Sequence, residues 1–287
     1  SVCPFCGVGC QVSMKVKDGR VAWVDGIDGP ANEGRLCVKG RFGFDYIHHP
    51  HRLTKPLIRR DDAPAKGLNV DPGNWGEVFR EASWDEAMEV AAGGLARLRD
   101  QGGETVAGFG SAKCTNEEAY LFQKMIRQGF GHNNVDHCTR LCHASSVVAL
   151  LEGIGSGAVS NPVMDVTQAE VVLLIGANPT DAHPVFGSRM KKAIRNGAKL
   201  IVADPRRIDL VESAHVKASH HLQLRPGTNV AVINALAHVI LTEGLEKRDY
   251  ITERCDPVEF ARWEAFIREE RNSPEALEPI TGVPAVE

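Results

Sequence analysis

The sequence predicts an α/β protein in two parts, a small β-rich N-terminal domain and a larger domain built on a doubly wound parallel sheet. Three cysteines fall within residues 1–10, and two stretches with strand-like alternation follow them. From residue 82 onwards, short apolar runs alternate with amphipathic helical patterns, which is typical of a parallel sheet with helices on both faces. We therefore place a first domain at 1–60, a connecting segment at 61–81 and a second domain at 82–287.

The composition excludes several classes of protein. With 287 residues, 43% of them hydrophobic and 24% charged, the chain can bury the core of a globular protein. A net charge of −4 and the lack of a dense Lys/Arg block argue against nucleic acid as a partner. No apolar run approaches the roughly 18 residues of a membrane-spanning helix, so we expect no membrane span.

Cysteine usage indicates a reducing compartment. The chain has eight cysteines, but it is too long to need disulfides for stability, and its cysteines cluster at the spacing of metal ligands. The first residues also lack the charged-then-apolar layout of a secretory signal. We expect a cytoplasmic protein, and because Ser1 is not a natural start, we also expect sequence upstream of it.

The first elements are set by local turn chemistry. In "CQVSMKVKDGRVAWVDG", two alternating stretches flank Asp-Gly, a pair that accepts the positive φ of a tight turn, so a hairpin is predicted. The segment 61–81 is rich in Gly, Pro and Asp, which predicts a loop. Ser83 then precedes a helical pattern with Glu86 three residues on, the signature of a helix N-terminus.

The rest of the second domain alternates strand and helix. Strands are predicted at "TVAGFG", "EVVLLIGANP", "AKLIVADP" and "HHLQLRPGTN", and helices at "NEEAYLFQKMIRQGFG", "PVFGSRMKKAIRNG" and "NVAVINALAHVILTEG". Parallel sheets of this kind bind ligands beyond the carboxyl ends of their strands. The loops at those ends are GSAK, GANPTD, DPRR and RPGTN, and we expect a nucleotide-like ligand there.

The N-terminal cysteines indicate a metal site. Cys3, Cys6 and Cys10 form a C-x2-C-x3-C pattern, and Cys37 follows after 26 intervening residues. Structural zinc usually takes one C-x2-C pair from each side, whereas three ligands from one loop and a distant fourth suit a [4Fe–4S] cluster. We therefore favour the cluster, with zinc or unrelated core cysteines as alternatives. Lys39 is then either a solvated surface residue or a cation between this cluster and a second redox centre.

A second group of soft ligands lies in "HCTRLCH", residues 137–143. Cys138 and Cys142 are four residues apart and would share one face of a helix. A zinc site made of both cysteines, His137 and His143 would require the helix to break, because adjacent residues point about 100° apart. A single Cys–His pair is easier to build, and it is more often structural than catalytic.

Several long stretches in register resemble the molybdopterin-guanine-dinucleotide oxidoreductases. They are "CPFCGVGC", "LCVKGRFGFDYIHHPHRLTKPLIRR", "TNEEAYLFQKMIRQGFGHNNVDHCTRLCHASS", "GANPTDAHP", "ADPRR" and "LRPGTN". The similarity is greatest to the catalytic α subunit of formate dehydrogenases of the cytoplasmic, NAD-linked type. Catalytic subunits of this family are several hundred residues longer and contain a second dinucleotide-binding half, so we expect the chain to be part of a larger enzyme.

The resemblance implies a role for individual residues. Cys3, Cys6, Cys10 and Cys37 match the four [4Fe–4S] ligands, and Lys39 matches the lysine between cluster and pterin. Cys142 matches the residue that binds molybdenum and His143 the histidine beside the metal, so both are the implied catalytic residues. Contacts to one guanine dinucleotide are implied for Gly176, Asn178, Asp181, Asp204, Arg206, Gly227 and Asn229. The implied cofactors are the [4Fe–4S] cluster and bis-molybdopterin guanine dinucleotide with molybdenum, or with tungsten in its place.

The implied reaction is oxidation of formate to CO2. Electrons would pass through the [4Fe–4S] cluster to partner iron–sulfur and flavin diaphorase subunits that reduce NAD. Two alternatives stay open, an assimilatory nitrate reductase of the same family and a non-catalytic iron–sulfur electron-relay subunit. The Cys-His order at 142–143 favours formate, since nitrate reductases with a cysteine ligand usually have Cys-Met. Cys114, Cys138 and Cys255 match no ligand and are expected to be core thiols.

Overall fold

The computed structural model describes residues 1–67 and 70–287, which form two compact units. Unit 1 comprises residues 1–15, 23–41 and 162–287, and unit 2 comprises residues 16–22 and 42–161. The strands are β1 (Val12–Lys17), β2 (Arg20–Gly26), β3 (Leu57–Arg59), β4 (Phe79–Glu81), β5 (Gly108–Gly110), β6 (Val135–His137), β7 (Val171–Ile175), β8 (Lys199–Ala203) and β9 (His220–Leu222). The helices are α1 (Val38–Phe42), α2 (Trp84–Asp100), α3 (Asn116–Lys124), α4 (Thr139–Cys142), α5 (Ala144–Ile154), α6 (Pro179–Ala182), α7 (Pro184–Arg195), α8 (Asn229–Thr242), α9 (Arg248–Arg254), α10 (Pro257–Ile267) and α11 (Pro274–Thr281).

Unit 1 contains a parallel sheet of strand order β7-β8-β9. The register places Val171 opposite Lys199 and Ile201 opposite His220. Helix α7 covers this sheet, and its Met190 lies with Leu200 and Val202 in the core, all with no exposed surface. Full burial of such a side chain contributes about 1.5–3 kcal/mol to folding relative to exposure. The predicted α/β class, with helices packed on parallel strands, is confirmed.

A second core cluster of unit 1 lies between the sheet and the C-terminal helices. It joins Leu222 and Leu224, at the end of β9, to Val232 of α8, and Leu236 and Val283 pack against it. Helix α11 starts at Pro274 after Ser273, whose hydroxyl accepts a hydrogen bond from the backbone N–H of Ala276. These elements fix the end of β9, from which the predicted RPGTN loop leaves.

The predicted N-terminal hairpin is confirmed. Strands β1 and β2 are hydrogen-bonded neighbours, and only Asp18 and Gly19 separate them. Both residues have positive φ, 50° and 74°, which is the geometry of a tight two-residue turn that follows strand twist.

Unit 2 contains the parallel pair β5–β6 and the antiparallel pair β3–β4. The predicted cap of α2 is confirmed, because the Ser83 side chain accepts from the Glu86 N–H. Residues 79–81 pair with β3, so the predicted loop at 61–81 is wrong at its end. Residues 68 and 69 of that segment lie outside the described residues, and the domain boundaries stay a prediction.

The helix predicted from residue 116 continues past α3 with different geometry. Residues Met125–Gly129 form a π-helical turn that buries Ile126. A Cβ added to Gly108 of β5 would lie 2.8 Å from Cγ1 of Ile126, so glycine allows the strand to approach this turn. The π turn thus places an apolar side chain directly against β5.

Among the described residues, no helix is both long and apolar enough to cross a membrane. The core position predicted for three cysteines is wrong, because Cys114, Cys138 and Cys255 are all exposed. Cys114 and Cys138 instead bind the loop after β5. The Cys114 thiol donates to the Ser111 carbonyl at 2.8 Å, and the Cys138 sulfur accepts from the Ala112 N–H at 3.4 Å.

Candidate metal centre

The four predicted cluster cysteines lie together in unit 1. Cys3 and Cys10 are buried, while Cys6 and Cys37 are partly exposed. The Cys3 N–H donates to the Cys10 carbonyl at 2.8 Å, which closes the loop that carries the first three thiols. Burial, and then the charges of Cys3, Cys6 and Cys37, raise the pKa of Cys10 to about 11. The other three sulfurs therefore lie close enough to Cys10 to affect its charge.

Asn32 connects the two segments that supply these cysteines. Its side chain has no exposed surface. The amide oxygen accepts from the Gln11 N–H at 3.0 Å, and the amide nitrogen donates to the carbonyls of Gln11, Ile27 and Arg35 at 3.3, 3.2 and 3.0 Å. One buried amide thus ties the residue after Cys10 to the loop that leads to Cys37, and all of its hydrogen-bonding groups are used.

The donor set fits an iron–sulfur cluster. A single zinc ion needs its thiolates within about 2.3 Å of one point. In this chain three thiols come from one loop, and the fourth follows after 26 intervening residues. A cluster needs soft thiolates spread over several irons and space between them. Gly40 keeps part of that space open, since a Cβ there would lie 3.3 Å from the Cys3 sulfur.

Lys39 links this centre to the parallel sheet. It lies on α1, two residues after Cys37, and its Nζ donates to the backbone carbonyl of Asp181 at 3.3 Å. Asp181 belongs to the short helix α6 after β7, and its carboxylate accepts from the Asn178 amide at 2.8 Å. The Asn178 Oδ1 is buried and has no hydrogen-bond partner among the described residues. A buried acceptor of this kind is expected to bind a donor of a ligand.

The predicted dinucleotide residues lie at one edge of the β7-β8-β9 sheet, because the carboxyl ends of parallel strands meet there. Gly176, directly after β7, has φ of 59°, and its N–H donates to the Ala203 carbonyl at 2.9 Å. Asp204, directly after β8, is 3% exposed. Its carboxylate accepts from the Arg206 N–H at 2.7 Å.

The loop after β9 completes this edge. Gly227 has φ of 86°, which a side chain would make unfavourable, and Asn229 is the first residue of α8. The Thr228 hydroxyl donates to the Arg225 carbonyl at 2.7 Å and closes the turn. The structure therefore brings together Gly176, Asn178, Asp181, Asp204, Arg206, Gly227 and Asn229, whose contacts to a dinucleotide stay a prediction.

In unit 2, the stretch HCTRLCH is divided among three elements. His137 ends β6, Cys138 precedes α4, Cys142 ends α4 and His143 separates α4 from α5. His137 Nδ1 accepts a hydrogen bond from the Thr139 N–H at 3.1 Å, so this ring nitrogen is already bonded within the chain. Cys142 and His143 are both exposed. The stretch is therefore not one helix with four converging ligands, and Cys142–His143 form an accessible thiol–imidazole pair.

A cavity of ≈540 Å³ lies between the carboxyl edge of β5–β6 and α3. Its wall includes Ser111 of the predicted GSAK loop, together with Arg127, Asp136 and Arg140. A hydrogen bond from Arg140, followed by one from the His137 N–H, lowers the pKa of Asp136. These three charged residues were not predicted. The sequence signal that could have indicated them is the four-residue spacing of Asp136 and Arg140, at which oppositely charged side chains often pair.

Two protein-family models match successive parts of the chain. Residues 1–49 match the family model described as Molybdopterin oxidoreductase Fe4S4 domain. Residues 52–267 match the model described as Molybdopterin oxidoreductase. These matches assign a [4Fe–4S] cluster and a molybdopterin cofactor with molybdenum to the chain, and the cysteines that hold the cluster stay a prediction.

Similar curated proteins are formate dehydrogenases. The F420-dependent formate dehydrogenase subunit alpha of Methanocaldococcus jannaschii is 38% identical over 99% of this chain and 38% of its own length. Formate dehydrogenase H of Escherichia coli is 36% identical over 100% of this chain and 38% of its own length. The chain thus spans well under half the length of these relatives.

A solved structure supports the fold. Acetylene hydratase from Pelobacter acetylenicus superposes with a TM-score of 0.80 at 22% identity, over 99% of this chain and 37% of the other. At that identity the likeness concerns the fold alone. The cysteine loop, the strand-end edge and both family matches lead to one conclusion: the chain belongs to the molybdopterin oxidoreductase family.

Proposed function

We propose that the chain carries the molybdenum site and the [4Fe–4S] cluster of a formate dehydrogenase. The observation that carries this proposal is identity of 36–38% to formate dehydrogenases over 99–100% of the chain, together with the Cys142–His143 pair. The same pair favours formate over nitrate, for which Cys-Met is usual. It also favours a catalytic chain over an electron-relay subunit, which would not need a metal ligand there.

The reaction removes two electrons and one proton from formate and leaves CO2. Side chains cannot accept a hydride or an electron pair, so the molybdopterin cofactor supplies the redox chemistry when it is bound. In this proposal the Cys142 thiolate ligates the metal, because a soft sulfur donor suits it. His143 hydrogen-bonds the substrate and receives its proton, a role suited to an imidazole because it can both donate and accept a hydrogen bond.

The strand-end residues of unit 1 are proposed to bind one guanine dinucleotide. The unpartnered Asn178 Oδ1 accepts a donor from it, and the buried Asp204 carboxylate binds a ribose or base group. The positive φ of Gly176 and Gly227 allows close approach of backbone to ligand. Lys39 supplies a positive charge between this edge and the cluster cysteines.

Electrons are proposed to leave through the [4Fe–4S] cluster to iron–sulfur and flavin diaphorase subunits that reduce NAD in the cytoplasm. The M. jannaschii relative is named for F420 instead, so the acceptor needs its own measurement. The purified holoenzyme should be given formate with NAD and, separately, with oxidised F420. Reduction of NAD supports electron transfer to diaphorase subunits. Reduction of F420 alone would show that F420 is the acceptor, and formate would still be the substrate.

The central test compares Cys142→Ala with Cys255→Ala in the holoenzyme. We expect Cys142→Ala to abolish formate oxidation with an artificial acceptor and to lose molybdenum or tungsten, while iron stays at about four per cluster. Cys255, exposed at the end of α9, should be replaceable without effect. Retained turnover in Cys142→Ala contradicts the proposed ligand. Nitrate reduction without formate oxidation favours the reductase, and iron without molybdenum or tungsten favours the relay subunit.

A further inference from the structure

We infer that Arg189 of α7 is a positioning residue for the [4Fe–4S] site. It acts through Glu33, on the loop at 27–36 that delivers Cys37; we call this segment the delivery loop. The inference goes beyond the ligand cysteines and Lys39, because it assigns a role in the cluster site to a helix of the dinucleotide-binding sheet. It rests on the cluster site and does not depend on the substrate.

The delivery loop is closed by its own backbone. The Gly34 N–H donates to the Ile27 carbonyl at 3.2 Å, and the Glu33 N–H donates to the Gly29 carbonyl at 2.8 Å. Asn32 joins the loop to Gln11, next to Cys10. These hydrogen bonds hold the delivery loop as one compact unit. A displacement of Glu33 would therefore also displace Cys37, four residues later in the chain.

The backbone of Glu33 has a conformation that is unfavourable for any residue with a side chain. Its φ is 43°, and in the described residues only Asp18 of the hairpin turn shares a positive φ without being glycine. Such a conformation favours glycine, so a glutamate there is expected to have a use for its carboxylate. Glu33 is the residue of the delivery loop that reaches α7.

The carboxylate of Glu33 binds the guanidinium of Arg189 through Nη2. Arg189 is 4% exposed and lies among the buried residues of α7, and the neighbouring Met190 is fully buried. A cation in such a position is costly unless it is paired. Its Nε is also buried and has no hydrogen-bond partner among the described residues. The charge of this guanidinium is therefore balanced by the Glu33 carboxylate.

The position of this pair places α7 beside a cluster ligand. Gly34 and Cys37 of the N-terminal segment and Val185 and Ser188 of α7 line one cleft of ≈370 Å³. If the ion pair is lost, this cleft can widen and Cys37 can move relative to Cys3, Cys6 and Cys10. Arg189 thus holds Cys37 through Glu33, in addition to the link that Asn32 makes between the delivery loop and Gln11.

The test measures the cluster in the anaerobically purified holoenzyme. Iron release to a strong ferrous chelator and the EPR spectrum of the reduced cluster are recorded for Glu33→Gln, Arg189→Gln, Arg189→Lys and the Glu33→Gln/Arg189→Gln double variant. We expect about tenfold faster iron release and an altered EPR line shape in either Gln variant, because each variant removes the ion pair that joins α7 to the delivery loop. The double variant should be no worse than the singles, and Arg189→Lys should restore part of the effect.

Two further variants separate positioning from general stability. Glu33→Gly removes the carboxylate but relieves the positive φ, so it should lose less stability than Glu33→Gln and still release iron as fast. Arg195→Gln changes an exposed arginine of the same helix and should leave iron release unchanged. If Arg189→Gln does not fold, the Glu33 variants alone decide the question.

Iron release and EPR spectra like those of the unaltered enzyme in both Glu33 variants would overturn the inference. Strictly additive effects of the two single changes would also overturn it, since independent residues add. Neither readout needs formate or an electron acceptor. A protein that oxidises another substrate would therefore refute the proposed function and leave this result intact.

Discussion

Lys39 and Asp181 are 142 positions apart in the chain, yet the lysine Nζ donates to the aspartate's backbone carbonyl at 3.3 Å. The contact joins α1, which follows Cys37, to the short helix α6 at the carboxyl edge of the parallel sheet. A lysine at this position contributes both a hydrogen bond and a positive charge between the two sites.

Replacement of Lys39 by Met should slow electron transfer and keep the cluster. Loss of one hydrogen bond from a charged group corresponds to about a tenfold or larger effect. We expect formate oxidation by the holoenzyme to fall by about that factor, with unchanged iron content. Lys17→Met, on the exposed hairpin, is the matched control. Iron lost together with activity would instead mean that Lys39 holds the cluster domain in place.

Serine at Cys10 or Cys37 should prevent assembly of the cluster. Each thiolate is expected to bind one iron, and the harder hydroxyl is a poor substitute. Iron per chain and the visible cluster absorption should both fall strongly, whereas Cys114→Ser should retain them because that thiol is exposed and donates to the Ser111 carbonyl. Normal iron content in Cys10→Ser and Cys37→Ser would refute the assignment of the four ligands.

Gly187→Ala should destabilise the protein although alanine is the better helix former. The added Cβ on α7 would lie 2.8 Å from the Pro179 carbonyl oxygen, and backbone cannot move aside as a flexible side chain can. Overpacking of this kind costs about 1–3 kcal/mol, more than the helix propensity gained. Chemical denaturation measures the change.

Gly153→Ala on α5 is the control for this substitution, since nothing lies within 4 Å of its added Cβ. It should be neutral or stabilising by up to about 1 kcal/mol. Equal effects of the two substitutions would contradict the close packing of α7 on the loop after β7.

Acid should remove the contribution of Glu264 to stability. Hydrogen bonds from Arg248 and then Arg268 lower its pKa to about 2, from an ordinary value of 4.5. A lowered pKa stabilises the fold above the ordinary value, and this stabilisation is lost as the pH falls from 4.5 through about 2. Glu264→Gln should therefore cost about 1–2 kcal/mol at neutral pH and progressively less in acid.

Thermal unfolding of both proteins between neutral pH and pH about 3 tests this dependence on Glu264. Glu253→Gln serves as the control, because its ion pair with Arg254 is exposed on both sides and should contribute little. A deficit in Glu264→Gln that does not shrink with acid would show that the side chain acts by packing alone.

Features that depend on neighbours in sequence could be predicted. The Asp18–Gly19 turn, the Ser83 cap and the alternation of strand and helix around α7 all follow from residues within one or two turns. The cysteine spacing also led to the predicted ligand set, which stays a prediction. Parallel topology then placed the strand-end loops on one edge without any knowledge of distances.

Features that depend on distant partners could not be predicted. Glu33 and Arg189 are 156 positions apart, and neither has a local pattern that marks it. Strand β6 is three residues long and includes Asp136, so it lacks the apolar run that identifies a buried strand. Cys114 and Cys138 were expected in the core because isolated thiols usually are, but both bind the exposed loop after β5.

The positive φ of Glu33 has a consequence for attempts to engineer this protein. A directed-evolution screen for heat tolerance alone would accept glycine at position 33 if the relief of the backbone offsets the loss of the ion pair with Arg189. The variants that win such a screen would hold their iron less firmly during storage and use. Screening for retained iron together with heat tolerance keeps the glutamate in the population.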